Sequence, residues 1–370
     1  MQKPDLRIIV SGGGTGGHIF PAIAIANALK SLRPDAVFLF VGAEGRMEME
    51  KVPAAGYKIV GLNIAGFQRR FTLKNISFPF KVIGSINKAK KIIREFQPDL
   101  VIGTGGYASG PVLRVAARKG IACVIQEQNS FAGVTNRILG KRVQKICVAW
   151  EGMEKFFPAE KIILTGNPVR SEVISITGKR EKAAAHFGLN PDVPTILAVG
   201  GSLGARAINE GIAAITALVK EKGWQLVWQT GKLYADQASE LLNNSDSKGI
   251  VTYPFITEMD LAYAMADVVI SRAGAIAISE LCCVEKPVIL VPSPYVAEDH
   301  QTKNAMALVA KSAAVLVKDE EVHEKLGDAI THLMQNKELQ NSLSTSIGKL
   351  AVADAATRIA NEALKLIENV

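Results

Sequence analysis

Short apolar runs alternate with amphipathic ones over most of the 370 residues. Runs of roughly four to six apolar residues predict strands, and apolar positions recurring every three or four residues predict helices. Leu6-Arg7-Ile8-Ile9-Val10 reads as a first strand, with a helix at 20–29 after it. Further strands are predicted at 36–41, 57–62, 99–102, 122–126 and 143–148, with helical patterns between most of them. Asn167-Pro168 breaks the chain, and beyond it the alternation restarts. Strand 195–199 leads to helix 206–220, and strands follow at 225–229, 250–252, 268–271 and 287–291. The stretch 349–370 reads as one amphipathic helix docking back on a domain surface. Alternation of this kind makes parallel sheets covered on both faces. The expectation is an α/β protein with two doubly wound, Rossmann-like domains, divided as 1–168, 169–348 and the terminal helix 349–370.

The turns between these elements carry the chemistry. Ser11-Gly12-Gly13-Gly14-Thr15-Gly16-Gly17-His18 joins the first strand to the first helix. Glycines let a backbone approach a phosphate closely, and the first amides of a helix point at it with the positive end of the dipole. The dinucleotide fingerprint is not met, because Asp35 precedes the second strand instead of ending it. No Lys-Ser or Lys-Thr follows the glycines, so the Walker pattern fails too. What remains is a phosphate loop with a histidine at its edge. Gly103-Thr104-Gly105-Gly106-Tyr107 and Glu127-Gln128-Asn129 end two further strands of the same half. In parallel sheets ligands gather at those carboxyl ends. The second half repeats the scheme with Gly200-Gly201-Ser202-Leu203-Gly204-Ala205. It repeats it again with Ser271-Arg272-Ala273-Gly274-Ala275-Ile276-Ala277-Ile278-Ser279-Glu280. Small residues at 273–275 leave a helix tip open to a diphosphate. Glu280 on that helix could accept two hydrogen bonds from a ribose diol, although an isolated Glu is more often a plain surface residue. Asp299-His300-Gln301 and Asn304 follow another strand end.

Charge changes the picture in one place. The net charge of +8 divides into +13 for residues 1–168 and −5 for the remainder. Between Lys51 and Arg94 there is no acidic residue, while ten are Lys or Arg. Phe67, Phe71, Phe78 and Phe80 are interleaved with Arg69, Arg70, Lys74 and Lys81. A solvated helix face is the ordinary reading of a charge run. Missing counter-charges and the aromatic cluster favour a surface lying on anionic phospholipid. No nucleic-acid module is recognised, so nucleic acid is not an expected partner. Cys123, Cys147, Cys282 and Cys283 make no C-x-x-C pair and are read as free thiols in a reducing compartment. With no charged-then-apolar leader and no run of 18 apolar residues, the chain is read as cytoplasmic.

Seven motifs in order give the chain a resemblance to a known family. They are Gly-Gly-Thr-Gly-Gly-His-Ile-Phe-Pro at 13–21, Gly-Gly-Tyr-Ala-Ser-Gly-Pro at 105–111, Glu-Gln-Asn at 127–129 and Gly-Asn-Pro-Val-Arg at 166–170. They continue with Gly-Gly-Ser-Leu-Gly-Ala at 200–205, Arg-Ala-Gly-Ala-Ile-Ala-Ile-Ser-Glu at 272–280 and Asp-His-Gln-Thr-Lys-Asn-Ala at 299–305. Over nearly its whole length the sequence resembles the MurG family of bacterial glycosyltransferases. These move N-acetylglucosamine from its UDP donor to the C4 hydroxyl of the muramyl sugar of lipid I, an undecaprenyl-diphosphate-linked muramyl pentapeptide, and so form lipid II for peptidoglycan. The resemblance implies a GT-B fold with the two domains facing a central cleft. It implies that the enzyme is peripheral, on the cytoplasmic face of the inner membrane. For the donor it implies Thr15, Gly16, Gly17, Asn129, Arg170, Ser202, Ile256, Gly274, Ala275, Ile276, Ala277, Ile278, Ser279, Glu280 and Gln301. Within that set Glu280 would hold the ribose, the Ile256 region the uracil, Arg170 and Ser202 the diphosphate, and Gln301 the sugar. For the acceptor it implies Gly13, Gly14, Gly103, Gly105, Gly106 and Tyr107. Leu203 departs from the family's usual Gln, which puts any side-chain contact from that position in question.

Mechanism follows from the same residues. The chain has no Asp-x-Asp pair to hold a metal-bound diphosphate. No metal or cofactor is therefore called for, and fixed donors must stabilise the leaving UDP. An acceptor hydroxyl attacking from the opposite face inverts the anomeric carbon. His18, with an unperturbed pKa of about 6.5, is the candidate base; the alternative is a histidine that binds or orders the loop. Two other classes stay open: an enzyme like UDP-N-acetylglucosamine 2-epimerase, and a non-enzymatic nucleotide- or lipid-binding module.

Overall fold

The computed structural model describes residues 6–64, 78–201, 204–243 and 248–368. The chain divides into two compact units, one of residues 1–169 with 354–370 and the other of 170–353.

In the first unit the described strands are β1 (Arg7–Gly12), β2 (Val37–Ala43), β3 (Ile59–Leu62), β4 (Leu100–Gly105), β5 (Ala122–Glu127), β6 (Lys145–Val148) and β7 (Ile162–Leu164). They pair in the order β3-β2-β1-β4-β5-β6-β7, all parallel. Its helices begin with α1 (Gly16–Leu32), α2 (Glu48–Ala54), α3 (Phe78–Phe96), α4 (Ser109–Arg118) and α5 (Val134–Gly140). Successive strand residues face opposite sides, so a strand covered on both faces must be apolar throughout. Ile9 packs with Val101, Leu113 and Ile125 on one face, while Ile8 and Val10 pack with Ile25, Leu29 and Leu100 on the other.

The second unit has helices α6 (Ser171–Ile174), α7 (Arg180–Phe187), α8 (Arg206–Glu221), α9 (Ala235–Asn243), α10 (Met259–Met265), α11 (Ala275–Val284), α12 (His300–Val309), α13 (Val322–Gln335) and α14 (Lys337–Gly348). Its strands are β8 (Thr195–Val199), β9 (Gln225–Gln229), β10 (Ile250–Tyr253), β11 (Val268–Ser271), β12 (Val288–Leu290) and β13 (Val315–Leu316). Their order is β10-β9-β8-β11-β12-β13, again all parallel.

Each sheet therefore reverses direction once, between β1 and β4 in one unit and between β8 and β11 in the other. At such a switch point neighbouring connections run to opposite faces, which leaves a crevice at the carboxyl edge. The glycine loops expected from the sequence are the ones that follow those four strands.

Several boundaries differ from expectation. β1 and β4 run on into Gly12 and Gly105, and α1 starts at Gly16, ahead of its apolar pattern. β7 and β13, with three and two residues, were too short to register as periodic runs. Within 349–370 the helix starts later than expected, at Ala355. α14 ends at Gly348 and α15 covers Ala355–Glu368. The break has a packing cause: α14 lies on α11 in the second unit, whereas α15 lies on α1 in the first. All four cysteines are free. Burial pushes the thiols of Cys123, Cys147 and Cys282 up to about 12, which leaves them inert.

α15 buries Ile359, Ala360, Ala363 and Leu364 into the cluster that also holds Ile25, Leu29 and Phe38. Ile359→Ala should therefore destabilise the first unit by about 2–5 kcal/mol. Urea unfolding followed by circular dichroism would check this, and an unchanged midpoint would mean that α15 is only a loosely held tail.

Candidate active site

In the first unit the loops after β1 and β4 touch backbone to backbone. A side-chain carbon on Gly106 would lie 2.2 Å from the Gly13 carbonyl oxygen, and one on Gly12 would lie 2.0 Å from Thr104 Oγ1. Gly14, Gly105 and Gly106 all have positive φ, at 89°, 97° and 84°, a region closed to most side chains. The Thr104 hydroxyl donates to the His18 carbonyl at 2.8 Å, fastening the first turn of α1 to β4. His18 Nδ1 lies 3.2 Å from the Gly13 carbonyl oxygen and 3.2 Å from Thr15 Oγ1. The other edge of its ring faces Gly105, where a Cβ would come within 3.0 Å of Nε2. Gly13, Gly14, Gly105, Gly106, Thr15 and His18 are thus one cluster. Gly103 is not part of its rim. It lies inside β4, paired with Ser11 and Ile125, and is small because Leu113 of α4 packs against it. Tyr107 follows the loop and is half exposed.

At the end of β5 the Glu127 carboxylate is buried and accepts from the backbone amides of Asn129 and Gly133 and the side-chain amide of Asn136, at 3.1, 3.0 and 2.9 Å. Burial raises its pKa, and those donors oppose the rise. Asn129 is held by this carboxylate. Gln128 donates to the Thr104 carbonyl at 2.7 Å, joining the ends of β4 and β5.

In the second unit the loop after β8 packs against the end of β9, with a Cβ on Gly204 only 2.4 Å from the Thr230 carbonyl oxygen. Ser202 and Leu203 lie outside the described residues. The first helical bond of α11 runs from the Ile278 amide to the Gly274 carbonyl, so the preceding amides lie outside the helix's own ladder. This limits the expected donor set. Ile278 is fully buried with its amide used inside the helix, and the Ser279 hydroxyl bonds back to the Ala275 carbonyl at 3.0 Å. Gly274, Ala275, Ile276 and Ala277 carry the tip. Glu280 sits one turn on, 5% exposed, and Arg170 Nη2 donates to it at 3.1 Å. Two residues expected to serve different parts of a nucleotide are therefore bonded to each other here. Burial raises the Glu280 pKa, opposed by Arg170 and by the Tyr263 hydroxyl. Gln301 accepts from the Ser293 amide at 2.8 Å, which fixes its carbonyl end.

Two residues that the sequence reading passed over organise these sites. Gln229, buried at the end of β9, donates to the Gly201 carbonyl and accepts from the Ile256 amide, both at 2.9 Å. It locks the glycine loop to the Ile256 segment; a polar residue ending a buried strand was the available signal. Glu48, the first residue of α2, is fully buried and accepts from the amides of Ala43 and Gly14. Nothing in its local pattern marks it.

Comparison with known proteins fits this geometry. The model of the glycosyltransferase family 28 N-terminal domain matches residues 8–148, and that of the C-terminal domain matches 195–359. The protein is a glycosyltransferase with the two-domain α/β fold of the GT-B class. Among solved structures it is similar to Acinetobacter baumannii MurG, at 29% identity and a TM-score of 0.78 over 97% of this chain and 99% of that one. It is also similar to the UDP-GlcNAc 2-epimerase of Neisseria meningitidis, at 16% identity and a TM-score of 0.68 over 98% and 100%, a likeness of fold alone. Among curated relatives, the UDP-N-acetylglucosamine--N-acetylmuramyl-(pentapeptide) pyrophosphoryl-undecaprenol N-acetylglucosamine transferase of Bacteroides fragilis is 54% identical over 99% of this chain and 97% of its own. The enzyme of the same name from Cytophaga hutchinsonii is 55% identical over 99% and 98%. The chain belongs to this family of transferases, the MurG family.

The buried Glu280 gives a pH test. If its carboxylate takes the ribose diol, affinity for UDP should fall on acidification as that group is protonated. Because its pKa is raised, the fall should begin above the ordinary glutamate value of about 4.3. Calorimetric titration across pH would check this. Glu280→Gln should bind weakly and lose the pH dependence, and a wild-type profile in that variant would remove Glu280 from the nucleotide site.

Proposed function

We propose that this protein transfers N-acetylglucosamine from UDP-N-acetylglucosamine to the C4 hydroxyl of the muramyl sugar of lipid I, with inversion, giving lipid II. One observation carries the reading to the level of residues. His18 and two glycine loops share the carboxyl-edge switch point of the first sheet, and the α11 tip with Arg170 and Glu280 occupies that of the second. The donor nucleotide is assigned to the second unit. Glu280 takes its ribose, the Ile256 segment its uracil, and Arg170, Ser202 and the amides at 274–277 its diphosphate, with Gln301 on the sugar. For Arg170 to reach the diphosphate it must give up part of its bond to Glu280, so nucleotide binding exchanges one partner for another. The acceptor is assigned to Gly13, Gly14, Gly105 and Gly106, whose bare backbone suits a lipid-linked diphosphate, with Tyr107 alongside. Thr15, Gly16, Gly17 and Asn129 are assigned to the donor sugar.

In the reaction the acceptor hydroxyl attacks the anomeric carbon, its proton passes to His18, and the bond to UDP breaks with its electron pair leaving on the diphosphate. Fixed amides and the Arg170 guanidinium stabilise that charge. The close relatives support this reading over the epimerase, whose likeness extends only to the fold. The test is transfer of labelled sugar to a lipid I analogue. Turnover of the donor without acceptor would instead indicate an epimerase, and binding without turnover a non-enzymatic module. His18→Ala should lower kcat by roughly 10²–10⁴-fold; intact chemistry with weakened acceptor binding would reassign His18 to binding.

A membrane-facing surface on the first unit belongs to the same reading. No helix among the described residues is long and apolar enough to cross a membrane. Of the residues expected at this surface, Phe67, Arg69, Arg70, Phe71 and Lys74 lie outside the described ones. Phe78 opens α3, Lys81 is partly exposed, and Phe80 and Ile83 stand 74% and 57% exposed in a helix that also carries Lys88, Lys90, Lys91 and Arg94. Val134 and Ile138 of α5 are exposed beside Arg137, Lys141 and Arg142. Lys88 and Lys91 pair with Glu44 and Glu95, and the other cations set among these apolar side chains suit anionic headgroups, each contributing roughly 1 kcal/mol. Vesicles containing phosphatidylglycerol or cardiolipin should retain the protein, less at high salt, and Phe80→Glu with Ile83→Glu should release it. Retention indifferent to both changes would sink the membrane reading.

A further inference from the structure

The Glu48 carboxylate is fully buried at the start of α2, and no Lys or Arg pairs with it among the described residues. Its partners are backbone amides: Ala43 at 2.9 Å and Gly14 at 3.2 and 3.1 Å to its two oxygens. The fit depends on glycine, since a Cβ on Gly13 would lie 2.1 Å from Oε1 and one on Gly42 would lie 2.5 Å from Cγ. The amide of Gly14 belongs to the same peptide group as the carbonyl of Gly13. That carbonyl oxygen is the atom 3.2 Å from His18 Nδ1. One peptide group therefore has a carboxylate at its N–H end and an imidazole at its C=O end.

We propose that Glu48 is a positioning residue for His18, acting through the peptide group that joins Gly13 to Gly14. A carbonyl oxygen can only accept, so the contact with Gly13 places the proton on Nδ1 and makes Nε2 the basic nitrogen, on the side of Gly105. Thr15 Oγ1, at the same distance from Nδ1, can serve as a second acceptor. Hydrogen bonds in a chain polarise one another in a low-dielectric interior. A carboxylate on the Gly14 amide makes the Gly13 carbonyl oxygen more negative. It thereby favours the imidazolium formed when Nε2 takes the acceptor hydroxyl proton. The logic is that of a histidine held by an acidic partner, with a peptide group interposed. A neutral amide in place of the Glu48 carboxylate keeps one oxygen to accept from Ala43 and Gly14, so most of the turn's support survives while the charge is removed.

This inference rests on His18 being the base, and its test separates the two. ¹⁵N NMR of the His18 ring, assigned with a His18→Ala variant, should show Nδ1 protonated and Nε2 unprotonated in the neutral wild type. Glu48→Gln keeps an acceptor of nearly the same shape but removes the charge. It should lower kcat by roughly 10–100-fold, the worth of one hydrogen bond to a charged group, leave the KM for UDP-N-acetylglucosamine and the melting temperature unchanged, and shift the tautomer balance. A wild-type ring protonated on Nε2, or Glu48→Gln with wild-type kcat and tautomer balance, would overturn the proposal. A loss of kcat that only follows a loss of folded protein would overturn it too. Full turnover in His18→Ala would instead remove the base assignment, and the NMR result would still report whether Glu48 sets the ring's tautomer.

Discussion

Contact between two stretches of bare backbone is the constraint on which the first unit's chemistry depends. Gly13 meets the backbone of Gly106 at a separation that leaves no room for a Cβ, and beside that contact Gly12 is bare because the Thr104 hydroxyl lies against it. Only that approach lets the loop after β1 and the loop after β4 share one rim, with His18 fastened to β4 through its own carbonyl. The sheet order makes the approach possible. β1 and β4 are neighbours from which the connections run to opposite faces, so no helix covers the gap between their ends.

The second unit uses the same topology with a different kind of lock. Its glycine loop is fixed by the Gln229 side chain, which reaches both Gly201 and Ile256. Its charged residues are held by each other, Arg170 on Glu280. Buried carboxylates recur in both units, and each is surrounded by donors: Glu127 by backbone and Asn amides, Glu48 by backbone amides, Glu280 by Arg170. An unpaired buried charge would cost several kcal/mol. Carboxylates ringed by donors can stay inside the fold and keep the directional acceptors that the chemistry needs.

The fold alone would not have distinguished this transferase from an epimerase. The Neisseria enzyme shares the architecture over nearly the whole chain at 16% identity. What identifies the transferase is likeness in sequence, to relatives 54% and 55% identical over 99% of this chain. Residues such as Gly103 and Ile278 illustrate the limit of carrying motifs over whole. Both lie within motif-bearing stretches, yet one is small to admit Leu113 and the other fills the core.

The sequence by itself determined the two parallel α/β halves, the places of the glycine turns and the basic, acid-free stretch, because these are written in local periods and in residue types with unmistakable backbone behaviour. Strands Thr195–Val199, Gln225–Gln229 and Val268–Ser271 were legible to the residue for that reason. Tertiary structure decided what those turns touch. Glu48 reaches Gly14 across 34 positions and Arg170 reaches Glu280 across 110, and the C-terminal helix packs back on α1 near the other end of the chain. Such pairings depend on strand order and register, which arise from the burial of whole faces. No window of local sequence contains them.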